Sequence, residues 1–285
     1  MLYELFSWLE IAYDFPGAGA FEYISTRTGL AAVTSIIISL IIGKRIISWL
    51  SKMQLKEVIR DDVGLDHHHS KAGTPSMGGV IIILAVVIPS VLFMKMDSVY
   101  AWLIIFVMLA LGLVGFIDDY IKVVRKNKSG LAGRFKIVGQ VVVGIIVGAV
   151  LYFHPDFTEV NTLSTVPFLK NVNIDYAFFG EELGWLIYIP VAIFVITAVS
   201  NATNLTDGLD GLATGISAIS GFVFAIFAYV SGRTDLSGYL DIMYLPGAGE
   251  LTIFCAALIG GCMGFLWYNS NPASVFMGDT GSLAL

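Results

Sequence analysis

One feature constrains this chain more than any other: apolar runs close to 20 residues long recur along it, each bounded by a short polar stretch. A helix rises about 1.5 Å per residue, so about 20 such residues cross the roughly 30 Å hydrocarbon core of a bilayer. Seven complete runs occupy residues 28–50, 77–96, 99–117, 136–153, 184–200, 212–231 and 251–268, and an eighth begins near Met277. The expected fold is all-α, a polytopic integral membrane helical bundle with seven complete transmembrane helices and the start of an eighth. No linker or repeat divides it, so residues 1–285 read as one domain, incomplete at its C-terminus because Leu285 falls inside the last run. Only 13% of residues are charged, against about 25% in soluble domains. That excludes a disordered, nucleic-acid-wrapping or ordinary cytosolic protein. Residues 1–27 mix Glu4, Glu10, Asp14 and Glu22 with aromatics and lack the basic start of a signal peptide, so a stretch lying on the membrane surface is expected there.

The cations are placed asymmetrically. If the first helix runs from outside to inside, twelve of the 16 Lys and Arg fall on the cytoplasmic side, and Arg27, Lys95, Lys170 and Arg233 stay outside. Positive charge marks the cytoplasmic face, so the N-terminus is expected outside. The net charge of -6 does not oppose anionic ligands, because most acids fall on the outer side by this topology.

Five acids sit where helices meet the inner surface: Asp118, Asp119, Asp207, Asp210 and Asp279. Asp118 and Asp119 follow a charge-free run, and adjacent carboxylates at a membrane boundary are costly unless a cation neutralises them. A divalent metal site, a proton acceptor or a plain solvated helix end all fit the pair. Lys122 and Lys126 follow one and two turns later, so one helical face can carry carboxylate and ammonium together, suited to Mg²⁺ and phosphate. In SNATNLTDGLDGLATG (200–215), Asn201, Asn204, Asp207 and Asp210 recur every three residues, with Gly208 and Gly211 allowing close approach. Such a stretch is ordinarily a turn, but amides with carboxylates also match a nucleobase or a ribose. Asp279 stands before an apolar run, where a helix N-terminus attracts phosphate or the acid acts as an ordinary N-cap. As an isolated feature the cap is the better explanation. Lys71 beside the Gly-rich start TPSMGG is a further anion-site candidate.

Other features point to packing. Cys255 and Cys262 lie two turns apart in one run and cannot bridge each other. Gly144–Gly148 and Gly260–Gly264 permit close helix approach, expected inside the bundle rather than at a dimer face. His67, His68 and His69 point in different directions on any helix and make a poor tetrahedral metal site, so a solvated loop is expected.

Together KAGTPSMGG (71–79), GFIDDYIKVV (115–124), NATNLTDGLDGLA (201–213) and FMGDTGSLAL (276–285) resemble the phospho-N-acetylmuramoyl-pentapeptide transferase family, in the family's order. The DD and DGLDG elements are shared with the wider polyprenyl-phosphate hexose-1-phosphate transferases. The resemblance implies ten helices, a bacterial inner-membrane location with the active site facing the cytoplasm, commonly a homodimer, and Mg²⁺ as cofactor. It implies transfer from UDP-N-acetylmuramoyl-pentapeptide to the membrane lipid undecaprenyl phosphate, giving lipid I and UMP. Asp118 and Asp119 match the family's DD pair, and Asp279 its metal-associated carboxylate, with Asp118 as a second metal ligand. Lys71, Asn204, Asp207, Asp210 and Phe276 match positions lining the nucleoside and diphosphate pocket, and Asn269, Lys122, Lys126 and Lys136 match further polar positions. Asn201 joins the substrate-binding set from its spacing. The family's triple-His motif follows the MGD aspartate, so His67–His69 are not its counterpart and the chain reads as a shortened member. A sister transferase of N-acetylglucosamine 1-phosphate shares this logic. A secondary transporter fits less well, because the acids gather at one edge rather than at the midplane.

Overall fold

In hydrocarbon a backbone must satisfy its own hydrogen bonds, so each apolar run closes into a helix. A computed structural model of the chain describes residues 1–52, 74–125, 127, 130–157, 160, 162–165 and 172–285. Its helices are α1 (Leu2–Tyr13), α2 (Ile24–Lys52), α3 (Gly79–Phe93), α4 (Val99–Val123), α5 (Gly133–Phe153), α6 (Trp185–Thr206), α7 (Leu212–Ser231), α8 (Thr234–Leu240), α9 (Leu251–Asn269) and α10 (Gly278–Ser282). Between α5 and α6 a short antiparallel hairpin pairs β1 (Leu163–Thr165) with β2 (Asn173–Asp175). The all-α membrane expectation holds, and α1 forms a helix within residues 1–27.

The count of spanning helices differs from the seven expected. Among the described residues six helices are long and apolar enough to cross a membrane, and α3, at 15 residues, is not. The cause is local. Residues 75–79 are diverted into pairing with residues 276 and 277: Phe276 N–H donates to Pro75 O (2.9 Å), and Gly78 and Gly79 N–H donate to Phe276 O and Met277 O (both 2.8 Å). Met77 takes a left-handed φ of 76° in this segment, which ends any helix before Gly79.

Helix α9 is the centre, packed by α2, α3 and α7, and it contributes Ile253, Phe254, Ala257, Cys262 and Phe265 to the core. Its small residues set the approach: Gly260 lies against the Ala32 carbonyl, and Gly261 and Gly264 lie against Ser35 and Ser39. Those serines donate to the Ala257 and Gly261 carbonyls at 2.6 and 3.3 Å. Gly144 and Gly148 of α5 face the Ile193 and Ile189 backbone of α6 in the same way. Both glycine pairs serve packing within the chain, as expected from their spacing.

The two ends of the bundle differ. At one end Arg27 makes a bidentate pair with Glu250 (2.7 and 2.8 Å) and donates to Phe93 O (3.0 Å), and Lys95 N–H donates to Glu250 (2.9 Å). The Tyr3 ring of α1 covers both the Arg27 and Lys95 charges. At the other end the C-termini of α4, α6 and α9 meet the N-termini of α5 and α7, with α10 set among them.

Candidate active site

Helix α4 runs past its apolar stretch to Val123, so Asp118, Asp119 and Lys122 all lie on helical backbone. Asp118 and Lys122, four residues apart, share a face and form an ion pair of 2.5 Å. Lys136, in the first turn of α5, reaches the same Asp118 Oδ2 at 3.0 Å. Both ammoniums also contact Asp279 Oδ2, Lys122 at 2.9 Å and Lys136 by a close ion pair. Asp118 is fully buried, and its Oδ1 accepts the Leu131 N–H at 2.7 Å.

Asp279 enters this cluster because α10 is pressed against α3 and α4. A Cβ on Gly115 would strike the Asp279 and Thr280 backbone, and one on Gly79 would strike Gly281. Gly278, at φ 72°, turns the chain where Asp119 and Ser76 leave no space for a side chain. Asp279 is not the cap of its own helix, contrary to the sequence expectation. Asp119 does the capping from α4: its Oδ1 accepts Asp279 N–H (3.1 Å), and its Oδ2 accepts Thr280 N–H (2.8 Å) and the Thr280 hydroxyl (2.6 Å). A helix start leaves N–H groups without intrahelical acceptors, and a carboxylate from a neighbouring helix satisfies them as well as a local side chain. The Asp279 carboxylate is thereby turned to the lysines, and Asn204 Nδ2 donates to its Oδ1 at 3.0 Å and to Ser282 Oγ at 2.8 Å.

Carboxylate oxygens of Asp118, Asp119 and Asp279 lie within 4.8 Å of one another. Two of these carboxylates, Asp118 and Asp279, face the two ammoniums, and with Asp119 beside them the cluster carries a formal excess of one negative charge. Oxygen donors this close suit a hard divalent cation such as Mg²⁺. All three acids have partners on both oxygens: Asp119 is held by the backbone and hydroxyl at the start of α10, whereas Asp118 and Asp279 share the two lysine ammoniums.

A profile described as glycosyl transferase family 4 matches residues 101–285. The pattern called phospho-N-acetylmuramoyl-pentapeptide-transferase signature 1 matches residues 71–83. Curated proteins named phospho-N-acetylmuramoyl-pentapeptide-transferase match across this whole chain. The protein from Flavobacterium psychrophilum is 49% identical over 317 residues and is covered over 77% of its own length. Those from Salinibacter ruber and Chloroherpeton thalassium are 50% and 49% identical, with 76% and 75% of their lengths covered. The chain belongs to this family. It is a membrane-embedded transferase, and the family implies a prenyl phosphate lipid as acceptor.

The remaining sequence candidates sort by what surrounds them in the transferase. Asn201 and Asn204 lie on the last turns of α6 rather than in a loop, because that helix continues to Thr206. Asn201 donates to Gln140 Oε1 (2.9 Å) and Thr197 O (2.7 Å), one turn deeper than Asn204. Asp207 is the C-cap of α6, and Asp210 Oδ2 accepts the Ala273 N–H at 3.3 Å. Asn269 is buried and clamps the start of α7, accepting from Gly211 N–H and the Thr214 hydroxyl (both 3.1 Å) and donating to Val275 O (3.0 Å). Phe276 lies in the strand-like pairing with Pro75 and Gly78. Lys71, Lys126 and His67–His69 fall outside the described residues. Gln140 and Ser200, a buried amide and hydroxyl at the foot of the site, are not among the sequence candidates. A polar residue inside an apolar run was the available signal.

Proposed function

We propose that the chain transfers phospho-N-acetylmuramoyl-pentapeptide from its UDP donor to undecaprenyl phosphate, releasing lipid I and UMP. The observation that carries this reading is the ion-paired cluster of Asp118, Asp279, Lys122 and Lys136, with Asp119 beside it, in a chain about half identical to proteins named for that transfer. Phosphoryl transfer between two anions needs alignment and neutralisation more than covalent help from the protein. An oxygen of the lipid phosphate bonds to the sugar-bearing phosphorus, the bond from that phosphorus to the bridging oxygen breaks, and UMP departs with that oxygen. The acceptor is largely ionised near neutral pH, since a phosphate monoester loses its second proton near pH 6, so direct attack is preferred to a carboxylate-bound phospho-sugar.

Asp279 and Asp118 hold Mg²⁺ in this reading. When bound, the ion neutralises diphosphate oxygens and stabilises charge on the leaving group. Lys122 and Lys136 answer the remaining phosphate charge, Asn204 orients Asp279, and Asp119 fixes the α10 backbone. Lys71, Lys126, Asp207, Asp210, Asn269 and Phe276 shape the nucleoside and diphosphate side, on the strength of their family positions, and Asn201 joins them on the strength of its spacing. The excess of Lys and Arg at this end of the bundle supports an inner-membrane orientation with the site toward the cytoplasm. The family resemblance supports a homodimer.

Purified protein in detergent, given undecaprenyl phosphate and Mg²⁺, is expected to release UMP from UDP-N-acetylmuramoyl-pentapeptide and not from UDP-N-acetylglucosamine. Release from the second donor alone overturns the substrate assignment. Trapping of a phospho-sugar on the protein in a quenched single turnover overturns direct attack.

A further inference from the structure

Gln140 is fully buried on α5, among helices that otherwise meet through apolar and small side chains. A primary amide in that setting is costly unless both of its ends are bonded. Both are. Its Nε2 donates to Ser200 Oγ on α6 (3.2 Å), and its Oε1 accepts from Asn201 Nδ2 (2.9 Å). Ser200 Oγ in turn donates to the Leu283 carbonyl (3.1 Å), just past α10. A line of hydrogen bonds therefore runs from α5 through α6 to the segment carrying Asp279.

Its placement is informative. Lys136 lies one turn before Gln140 on the same face of α5 and meets Asp118 and Asp279. Asn204 lies one turn beyond Ser200 on α6 and meets Asp279 and Ser282. The two levels are parallel: Gln140, Ser200 and Leu283 below, Lys136, Asn204 and Asp279 above. Cohesion of α5 with α6 is already provided by Gly144 and Gly148 against the Ile193 and Ile189 backbone, contacts that tolerate small rotations about the helix axis. The lower level does not tolerate them, because a rotation separates donor from acceptor. We propose that Gln140 is a positioning residue for the transfer, acting through Ser200 and the Leu283 carbonyl to keep Asp279 opposite Lys136 and Asn204.

The inference rests on the reaction proposed above, so its test carries a readout independent of turnover. Gln140→Leu, Gln140→Glu and Ser200→Ala, singly and with Gln140→Leu combined with Ser200→Ala, are compared in the intact detergent-solubilised protein. UMP release and Mn²⁺ binding without substrates are both measured. A misplacement of about 1 Å can cost up to ~100-fold in rate. Gln140→Leu is expected to lower kcat about ten-fold or more, with KM for both substrates within about two-fold, and to weaken Mn²⁺ binding several-fold although Gln140 is not a ligand. Gln140→Glu, which keeps the shape and the acceptor for Asn201 but loses the donor to Ser200, is expected to share both losses. The double variant is expected to be no worse than its poorer parent, since both changes cut one line. Unchanged turnover and Mn²⁺ affinity in Gln140→Leu overturn the proposal, and so do losses that multiply in the double variant. A parent protein that releases no UMP overturns the reaction instead, and the Mn²⁺ comparison still decides the role of Gln140.

Discussion

At the scale of single residues, the adjacent acids of α4 divide their work. Asp118 faces the lysines, and Asp119 faces backward into the backbone of residues 279 and 280. Their alternation on one helix explains this, since consecutive side chains point about 100° apart. Asp119→Ala leaves a buried N–H, a part-buried N–H and a buried hydroxyl without their acceptor, at about 2 kcal/mol or more. A clearly lower melting temperature in detergent is the expected outcome, and unchanged melting contradicts the capping role. The sequence made both acids visible as costly charges at a membrane edge, yet their separate partners were not legible. Those partners come from about 160 residues away in the chain, as the Asp119 contacts with 279 and 280 record. For the same reason Asp279 read as an N-cap: the local pattern holds a cap site, and only the packing of α4 shows that another acid fills it.

At the scale of elements, hydropathy located every spanning helix but not its ends. Helices α4 and α6 continue to Val123 and Thr206, beyond the apolar runs, and Lys122 and Asn204 on these extensions pair across helices with Asp279. Helix α3 starts late for the opposite reason, as its expected first turn pairs with residues 276 and 277. Glycine spacing anticipated the close pairs within the bundle, while the approach of α10 depends on Gly115, which no local pattern marked, and on Gly79, which the sequence marked as part of an anion-site candidate and not as a packing contact. Gly115→Ala sets a methyl group against the Asp279 backbone, so displacement of α10 and a fall in transfer of up to about 100-fold are expected. Gly29→Ala, on the exposed side of α2 with nothing within 4 Å of the new methyl, is expected to leave transfer unchanged and gain up to about 1 kcal/mol from helix propensity. UMP release and melting of both variants check the pair, and equal activity in the two contradicts the account.

At the scale of the molecule, the bundle carries polar networks at both ends and they serve different ends. The Arg27–Glu250 pair, with the Arg27 side chain fully buried and the Glu250 side chain 8% exposed, ties α2 to the start of α9 far from the acids. Removing one partner leaves a buried charge alone, a cost of about 3–5 kcal/mol. Arg27→Met is expected to lower thermal stability while the folded fraction keeps its KM, and adding Glu250→Leu is expected to restore much of the loss. The opposite end brings two lysines from α4 and α5 onto one carboxylate pair, Asp118 of α4 and Asp279 of α10, and there the claim of catalysis rests. Its most direct test is UMP release by Asp279→Asn beside the parent protein, with melting of both recorded. Transfer abolished in a variant that melts as a folded protein is the expected result, and near-parental turnover contradicts the assignment of Asp279 as the metal-holding acid at the centre of the site.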